Sequence, residues 1–289
     1  METQHTIARD VFFQGIGLHT GNLCKALFKP APAHTGVRLV RTDLPDQPSI
    51  QAHYSNVLGV IRGTTVGNDE IRVHTIEHML SAVYALGIDN LVIELNANEP
   101  PVADGSSQGF FDTLKEAGLV DQQVPREFLQ PNERLEYKNG ETEIILEPSD
   151  TLQLTTVIVF NHPLIQRQEV SLTVDPSTYR AEIAPARTFC FDYEVEALKK
   201  QGLARGGSLD NAVVIGLDRI HNKEKKLRFP NEFARHKALD LLGDLYLLGK
   251  PLKGHVTAIR CGHGHNINFV KLLGERFIER SHAYVADRS

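Results

Sequence analysis

Alternating apolar and polar positions in the first 70 residues predict short β-strands rather than helices. The clearest stretches are residues 26–29 and 37–41, and prolines at positions 30, 32 and 45 interrupt the pattern. Proline cannot donate the backbone hydrogen bond that a sheet interior requires, so these positions separate strands.

The pattern changes to helical spacing at residues 75–87, where apolar side chains recur every three or four positions. Thr75 stands at the N-cap position, and Gly87 stands where a C-terminal cap belongs. A strand rich in β-branched residues is predicted at 91–95. A second helix is predicted at 109–117.

The second half of the chain repeats this order of strands followed by helices. The predicted elements are strands at 133–147, 152–160, 212–215 and 256–261, and helices at 194–201, 232–248 and 266–278. Residues 119–130 are polar and lack a period, so we place the boundary there. The prediction is a first domain at 1–122, a linker at 123–130 and a second domain at 131–289. Strands followed by helices, twice, favour an α+β fold over a doubly wound sheet.

Two short fragments suggest that the halves are related. Residues 88–93 (IDNLVI) and 209–214 (LDNAVV) both place an Asp-Asn pair before an apolar stretch. Either the chain contains an internal duplication, or two dipeptides coincide.

The composition excludes several classes of protein. A chain of 289 residues with 41% hydrophobic and 23% charged residues can bury a large core, so it is neither disordered nor fibrous. The net charge of −5 and the lack of a basic block disfavour a nucleic-acid binder. Cys24, Cys190 and Cys261 form no CxxC pair, which indicates reduced thiols in a cytoplasmic protein. The polar first ten residues do not resemble a signal peptide, and the longest apolar runs are strand-sized, so we expect no membrane span.

Residues 231–249 carry the most informative polar pattern. On a helix His236, Asp240 and Asp244 fall within about 80° of one another, while the remaining surface is apolar nearly all round. A buried, unpaired carboxylate costs several kcal/mol, so these side chains need partners. A metal ion held by His236 and Asp240 is one solution. Pairing of the two side chains with each other or with solvent is the other.

Glu77 and His78, adjacent at a helix start, resemble in reverse order the HExxH arrangement, in which a ligand histidine lies near a general-base glutamate. The alternative is a solvated glutamate beside a capping histidine. His74 is a rival ligand four residues earlier. His263 and His265 form a glycine-flanked pair after a predicted strand, and a histidine at such a turn is a candidate acid or electrostatic stabiliser.

Two glycine motifs have simpler explanations. Residues 105–109 (GSSQG) satisfy the GxSxG pattern of hydrolase nucleophiles, but no strand leads straight into Ser107. We therefore expect a loop that caps the following helix. Residues 15–21 (GIGLHTG) lack the final spacing of a dinucleotide-binding GxGxxG motif and predict a turn between strands.

Taken together, the motifs resemble the LpxC family, the zinc-dependent UDP-3-O-acyl-N-acetylglucosamine deacetylases of the committed step of lipid A synthesis. The blocks that carry the resemblance are, in order, GIGLHTG at 15–21, RTDLP at 41–45, TIEHMLSAVYALGIDNLVIE at 75–94, DGSSQGF at 104–110, FNHP at 160–163, ARTFCF at 186–191, GGSLDNAVV at 206–214, FARHKALDLLGDL at 233–245 and GH at 262–263. They cover nearly the whole chain.

The resemblance implies two similar α+β domains with the sheets outside and the helices sandwiched between them. It places the active site between the domains and gives each domain an insert, the second of which forms a passage for the acyl chain. It implies Zn²⁺ held by His78, His236 and Asp240, which leaves a fourth position for water. The implied catalytic roles are Glu77 as general base, His263 as general acid or charge stabiliser, and Asp244 as the group that orients His263. Thr188 is implied as a hydroxyl that helps to polarise the carbonyl or to bind the tetrahedral intermediate. The implied substrate contacts are Phe189, Phe191, Gly207 and Lys237.

The chain departs from the family in one hairpin. Where some members have a phosphate-binding lysine, this chain has Glu141, Thr142 and Glu143. We therefore expect Arg260 and Lys237 to contact the diphosphate. Because Lys237 follows a metal ligand in the sequence, its side chain is expected to point away from the metal.

The expected function is zinc-dependent hydrolysis of the N-acetyl amide of an acylated UDP-N-acetylglucosamine, by a cytoplasmic monomer that binds no nucleic acid. Peripheral contact with the inner membrane is left open. One alternative is a related deacetylase that acts on another N-acetyl sugar. The other is a non-catalytic sugar-nucleotide binding protein, against which the presence of Glu77 and all three ligands argues.

Overall fold

Two five-stranded sheets form the framework of the computed structural model, which describes residues 2–279. The first half contains β1 (Thr3–Ile7), β2 (Val11–Ile16), β3 (Leu23–Pro30), β4 (Val37–Arg41), β5 (Ser49–Gln51), a 3₁₀ turn (Tyr54–Asn56), β6 (Val57–Gly59), β7 (Thr65–Gly67), β8 (Arg72–Val73), α1 (Glu77–Ala85), β9 (Leu91–Leu95), α2 (Gln108–Glu116) and β10 (Leu119–Pro125). The second half contains β11 (Leu135–Asn139), β12 (Thr142–Glu147), β13 (Leu152–Val159), β14 (Arg167–Thr173), α3 (Pro176–Thr178), a π-helical turn (Tyr179–Ile183), β15 (Phe189–Phe191), α4 (Asp192–Lys200), β16 (Val213–Ile215), β17 (Ile220–His221), α5 (Glu232–Tyr246), β18 (Gly254–Ile259), α6 (His263–Leu273) and a final π-helical turn (Gly274–Glu279).

The two large sheets have the same topology. Their strand orders are β2-β3-β9-β4-β5 and β11-β12-β18-β13-β14. In each sheet the middle strand, β9 or β18, pairs antiparallel on one side and parallel on the other. Strands β4 and β18 bury alternate side chains, as expected of strands with one face on a core. The halves therefore correspond strand by strand.

Helices α1, α2, α5 and α6 lie between these sheets. Helix α1 packs on α5, α2 contacts β2, and α5 contacts β13 and β14. The backbones of α1 and α5 touch at Gly243, where a Cβ atom would lie 2.2 Å from the carbonyl oxygen of Glu77. The predicted α+β fold with a sheet, two helix layers and a second sheet is confirmed.

The internal duplication is real, but the fragments that suggested it are not equivalent. The matched topology pairs β9 with β18 and α1 with α5. Residues 88–93 lead into β9, whereas residues 209–214 lead into β16, which belongs to a separate small sheet. The shared Asp-Asn dipeptide is therefore a coincidence.

The halves differ mainly in the segment between the edge strand and the central helix. In the first half this insert holds the small sheet β6-β7-β8, and in the second it holds the sheet β15-β16-β17 together with α4. These are the two inserts that the resemblance implies. Within residues 2–279 no helix is long and apolar enough to cross a membrane.

Three local predictions were wrong. Thr75 is not the N-cap of α1: it has a positive φ of 53°, and its hydroxyl donates to the buried carboxylate of Glu99, so Ile76 takes the cap position. Residues 119–125 form β10, which pairs with β1, because hydrogen bonds to a distant strand compensate for the missing apolar period. Helix α6 begins at His263 rather than at residue 266. The domain limits themselves stay a prediction.

Candidate metal centre

The contact between α1 and α5 gathers five polar side chains from the two halves. Glu77 and His78 belong to the first turn of α1, and His236, Asp240 and Asp244 lie along one side of α5. None of the five is more than 5% exposed. Because charged and imidazole groups are rarely buried without partners, their arrangement needs a chemical explanation.

Three of these side chains converge on one point. The Oδ1 atom of Asp240 lies 3.4 Å from Nε2 of His236 and 3.8 Å from Nε2 of His78. The three candidate ligand atoms are within 4.8 Å of one another. Asp240 Oδ1 is buried, and no described residue forms a hydrogen bond with it. Two imidazoles and one carboxylate are a donor set that suits zinc, and a shared cation would satisfy this oxygen.

The protonation states favour metal binding. Burial, reinforced by the nearby imidazole of His236, lowers the pKa of His78 to about 3. Burial likewise lowers the pKa of His236. For Asp240 burial acts in the opposite direction, but the surrounding imidazoles and Lys237 hold its pKa below the usual range. The histidines are therefore neutral and the aspartate ionised, which is the form that binds a metal.

Glu77 is held as a proton acceptor beside this group. Its Oε2 atom accepts a hydrogen bond of 2.9 Å from the backbone N–H of Thr64. Burial and the carboxylates of Asp240 and Asp244 raise the pKa of Glu77 to about 7, although His263 opposes them. A general base is most effective with a pKa near the working pH.

His263 faces Glu77 from the start of α6. Its Nδ1 atom lies 2.9 Å from Oδ2 of Asp244, and its Nε2 atom lies 3.7 Å from Oε1 of Glu77. Burial opposes protonation, but the carboxylates of Asp244, Glu77 and Asp240 outweigh it and raise the pKa of His263 to about 10. The ring is therefore an imidazolium whose Nε2–H points into the site.

A buried ion pair supports His236, a candidate ligand on α5. His236 Nδ1 lies 3.1 Å from the carbonyl oxygen of Ala186, which directs Nε2 towards Asp240. The next residue, Arg187, donates its backbone N–H and its side-chain Nε to the fully buried carboxylate of Glu232, at 3.0 and 2.8 Å. Glu232 thus ties the segment that orients His236 to the start of the same helix.

Hydroxyl groups support His78, the candidate ligand on α1. The carbonyl oxygen of His78 accepts hydrogen bonds from Ser107 Oγ at 2.6 Å and Ser81 Oγ at 2.9 Å. Tyr179 from the second half contacts both serines, at 2.8 and 2.7 Å. Ser107 is therefore a buried structural hydroxyl bonded to other hydroxyls and a carbonyl, which does not suit a nucleophile. The loop caps α2 as expected: Ser107 takes the N-cap position, and Ser106 Oγ accepts from the N–H of Gln108 at 3.3 Å, although the side chain of Ser107 itself forms no capping bond.

The rival motifs, at His74 and at 15–21, contribute no side chain to the candidate metal ligands found among residues 2–279. His74 Nδ1 lies 3.0 Å from Thr65 Oγ1, and His74 belongs to neither of the clusters of possible metal ligands among the described residues. The segment at 15–21 includes the turn between β2 and β3, as predicted, and the N–H of Gly17 bonds to Asn22 across it. The three cysteines are free, and Cys24 is fully buried.

Lys237 and Arg260, the predicted diphosphate contacts, both form ion pairs with carboxylates of the protein itself. Lys237 does not point away from the metal ligands: its Nζ lies 2.7 Å from Asp240 Oδ2. The expectation failed because residues three apart on a helix are neighbours and the lysine stem is long enough to bend back. Arg260 forms an exposed ion pair of 2.8 Å with Glu141 in the hairpin that departs from the family.

An apolar cavity of about 290 Å³ lies between the halves. Thr188, Phe189 and Gly207 line it. The ring of Phe189 is centred 6.2 Å from the ring of His236, so the cavity adjoins the metal group. Phe191 packs instead against Phe160, His162 and Tyr193.

Sequence reasoning missed two residues that complete the site. Thr64 Oγ1 donates to Asp244 Oδ1 at 2.5 Å, and Asn266 Nδ2 donates to Asp244 Oδ2 at 2.9 Å. Thr64 lies in the first insert, 180 positions from Asp244. No spacing rule connects residues so far apart, so no signal in the sequence indicated this role.

Comparison with known proteins shows extensive similarity. The family model described as "LpxC: UDP-3-O-acyl N-acetylglycosamine deacetylase" matches residues 4–275. The UDP-3-O-acyl-N-acetylglucosamine deacetylase of Bdellovibrio bacteriovorus is 44% identical over 263 residues, which cover 91% of this chain and 87% of that protein. The enzyme of the same name from Teredinibacter turnerae is 40% identical, over 96% of this chain and 91% of that protein. The "Bifunctional enzyme LpxC/FabZ" of Chlorobaculum tepidum is 41% identical over 96% of this chain, and the chain spans 65% of that enzyme's length.

Proposed function

The chain belongs to the LpxC family of UDP-3-O-acyl-N-acetylglucosamine deacetylases and is an amide-cleaving, metal-dependent hydrolase of lipid A biosynthesis, and from that membership we propose that its metal is zinc and that its active site is the α1–α5 interface. His78, His236 and Asp240 would hold the ion. The observation that carries this proposal is the buried Asp240 Oδ1, which has no hydrogen-bond partner among the described residues and faces two neutral imidazoles.

Glu77 is the proposed general base. Zinc bound to the three ligands would polarise the carbonyl oxygen of the acetamide and make a water molecule more acidic. The Oε1 atom of Glu77 takes a proton from the attacking water, since its Oε2 atom is occupied by the N–H of Thr64. The pKa of about 7 keeps this carboxylate a competent acceptor near neutral pH.

His263 completes the reaction as an imidazolium. As the water oxygen bonds to the acetyl carbon, negative charge develops on the carbonyl oxygen, and the Nε2–H of His263 is placed to stabilise it. When the C–N bond breaks, Nε2 of His263 gives its proton to the leaving amine, and the proton that Glu77 took from the water replaces it, so that acetate and the free amino sugar result and both side chains return to their starting states. Asp244 holds Nδ1 of His263 at 2.9 Å and so fixes the direction of Nε2.

The remaining substrate contacts, with the acyl chain and the diphosphate, are proposed from the polarity and charge of the side chains. The apolar cavity beside Phe189 suits the acyl chain, and Thr188 and Gly207 line the same cavity. Lys237 and Arg260 are the cations proposed for the diphosphate, and each would exchange a carboxylate partner for it. A cytoplasmic location, a monomeric state and the roles of the individual site residues stay predictions.

The test is acetate release from UDP-3-O-acyl-N-acetylglucosamine, combined with metal analysis. We expect one zinc ion per chain in the wild type and in Glu77→Gln. Turnover of Glu77→Gln should fall by about 10²- to 10⁴-fold, the usual contribution of a general base. Glu70→Gln, the same change at an exposed position, is the control and should keep full activity.

Two results would contradict the proposal. Stoichiometric zinc without acetate release from this substrate, but with release from another N-acetyl sugar, would favour the related deacetylase. Tight binding of the sugar nucleotide with no hydrolysis of any N-acetyl sugar would favour the non-catalytic alternative.

A further inference from the structure

Thr64 contacts both groups of the site that would transfer protons, Glu77 and the Asp244–His263 pair. It is fully buried and immediately precedes β7 in the insert of the first half. Its hydroxyl donates to Asp244 Oδ1 at 2.5 Å, and its backbone N–H donates to Glu77 Oε2 at 2.9 Å. Its carbonyl oxygen accepts from the N–H of Ile76, the cap residue of α1, at 3.3 Å. One residue thus contacts the base, the partner of the acid and the helix that carries the base.

The bond to the N–H of Thr64 selects the reactive oxygen of Glu77. Because Oε2 is engaged, Oε1 is the oxygen that faces His263 Nε2, at 3.7 Å. A carboxylate free to rotate would present either oxygen in turn. The backbone of Thr64 therefore fixes the base, and this contact would survive any substitution of the side chain other than proline.

The hydroxyl of Thr64 fixes the orientation of the Asp244 carboxylate. Asp244 is fully buried, and its Oδ2 atom accepts from His263 Nδ1 and Asn266 Nδ2, both at 2.9 Å. Thr64 is the partner of the second oxygen, Oδ1. With both oxygens bonded the carboxylate plane cannot turn, and the ring of His263 follows that plane. Without the hydroxyl, a buried carboxylate oxygen loses a charge-assisted hydrogen bond and the plane is held on one side only.

We propose that Thr64 is a positioning residue that aligns the Asp244–His263 pair with Glu77, so that a residue of the first half sets the geometry of an acid carried by the second. This inference rests on the proposed function, because it concerns the proton transfers of that reaction. It predicts an effect on turnover rather than on substrate binding or metal content.

The test compares Thr64→Val, which keeps the shape but removes the hydroxyl, with Thr64→Ser, which keeps the hydroxyl. We expect kcat of Thr64→Val to fall by about 10- to 100-fold, the scale of one hydrogen bond to a charged group. KM should stay within about twofold and zinc at one ion per chain, as for an interaction made mainly in the transition state. Thr64→Ser should recover most of the lost turnover.

The matched control is Thr65→Val, which removes the neighbouring hydroxyl. That group bonds to His74 outside the site, so kcat should not change. A double variant, Thr64→Val with Asp244→Asn, should be no slower than Asp244→Asn alone, because both changes break the same chain of contacts. If Thr64→Val does not fold, Thr64→Ala removes the hydroxyl without the added methyl group and serves the same comparison with Thr64→Ser.

Three outcomes would overturn the inference while wild type and Thr65→Val release acetate normally. They are full turnover in Thr64→Val, equal losses in Thr64→Val and Thr64→Ser, and additive losses in the double variant. Failure of the wild type itself to release acetate would instead count against the proposed function.

Discussion

The two halves share one topology but contribute to the site in different ways. Helix α1 supplies Glu77 and His78 from its first turn, whereas its counterpart α5 supplies residues spread over two turns. The difference is sharper at the helices that follow. Ser107 at the start of α2 only donates a hydrogen bond to the backbone carbonyl of His78, whereas the side chain of His263 at the start of α6 lies in the site, near Glu77. The duplicated framework therefore provides a common interface, and the chemistry on it is distributed unequally.

The contacts that support the two proposed histidine ligands also differ between the halves. The segment that orients His236 is held by the buried pair of Arg187 and Glu232, while His78 is held by neutral hydroxyls. A buried ion pair is costly to break, because removal of one member leaves the other charged and unpaired. A neutral hydrogen bond contributes only about 1 kcal/mol. The second half should therefore be the more sensitive to substitution.

The largest effect, on zinc content and on acetate release, is expected from loss of Asp240, the proposed ligand that both histidines face. Asp240→Ala should lose zinc and reduce acetate release by more than about 100-fold, since even the loss of an outer partner of a ligand costs 10- to 100-fold. Metal analysis with the activity assay checks this, with Asp69→Ala, at an exposed position, as the control. Retention of one zinc ion per chain by Asp240→Ala would show that the ligand set is wrong.

An intermediate effect, on the free energy of unfolding, is expected when the contacts that support His236 and His78 are removed in turn. Glu232→Gln should lower the free energy of unfolding by about 3–5 kcal/mol, the cost of breaking a buried ion pair. Ser107→Ala should lower it by about 1 kcal/mol, because Ser81 still donates to the same carbonyl. Urea unfolding of the metal-free proteins measures both values. A larger loss in Ser107→Ala than in Glu232→Gln would reverse the proposed order of the two halves.

The last prediction concerns the protonation state of His263. In the metal-free protein its pKa is raised to about 10 by carboxylates that outweigh burial. Its contribution to stability is therefore complete below about pH 6.5, the ordinary pKa of histidine, and is lost as the pH rises through about 10. Nitrogen NMR at pH 7.5 should show both ring nitrogens protonated, and Asp244→Asn should lower the pKa. A neutral His263 ring at pH 7.5 in the wild type would contradict this assignment.

Helical and strand periodicity were sufficient to predict the α+β class. The spacing of His236, Asp240 and Asp244 was sufficient to place them on one face of a buried helix, because the geometry of a helix is local. The tertiary structure alone decided which strands and helices of the two halves correspond, that Lys237 bends back to Asp240, and that Thr64 and Glu232 support the site. The physical reason is that the supporting bonds join residues far apart in the chain, 180 positions for Thr64 and Asp244 and 45 for Arg187 and Glu232, and such bonds leave no pattern in the order of the amino acids.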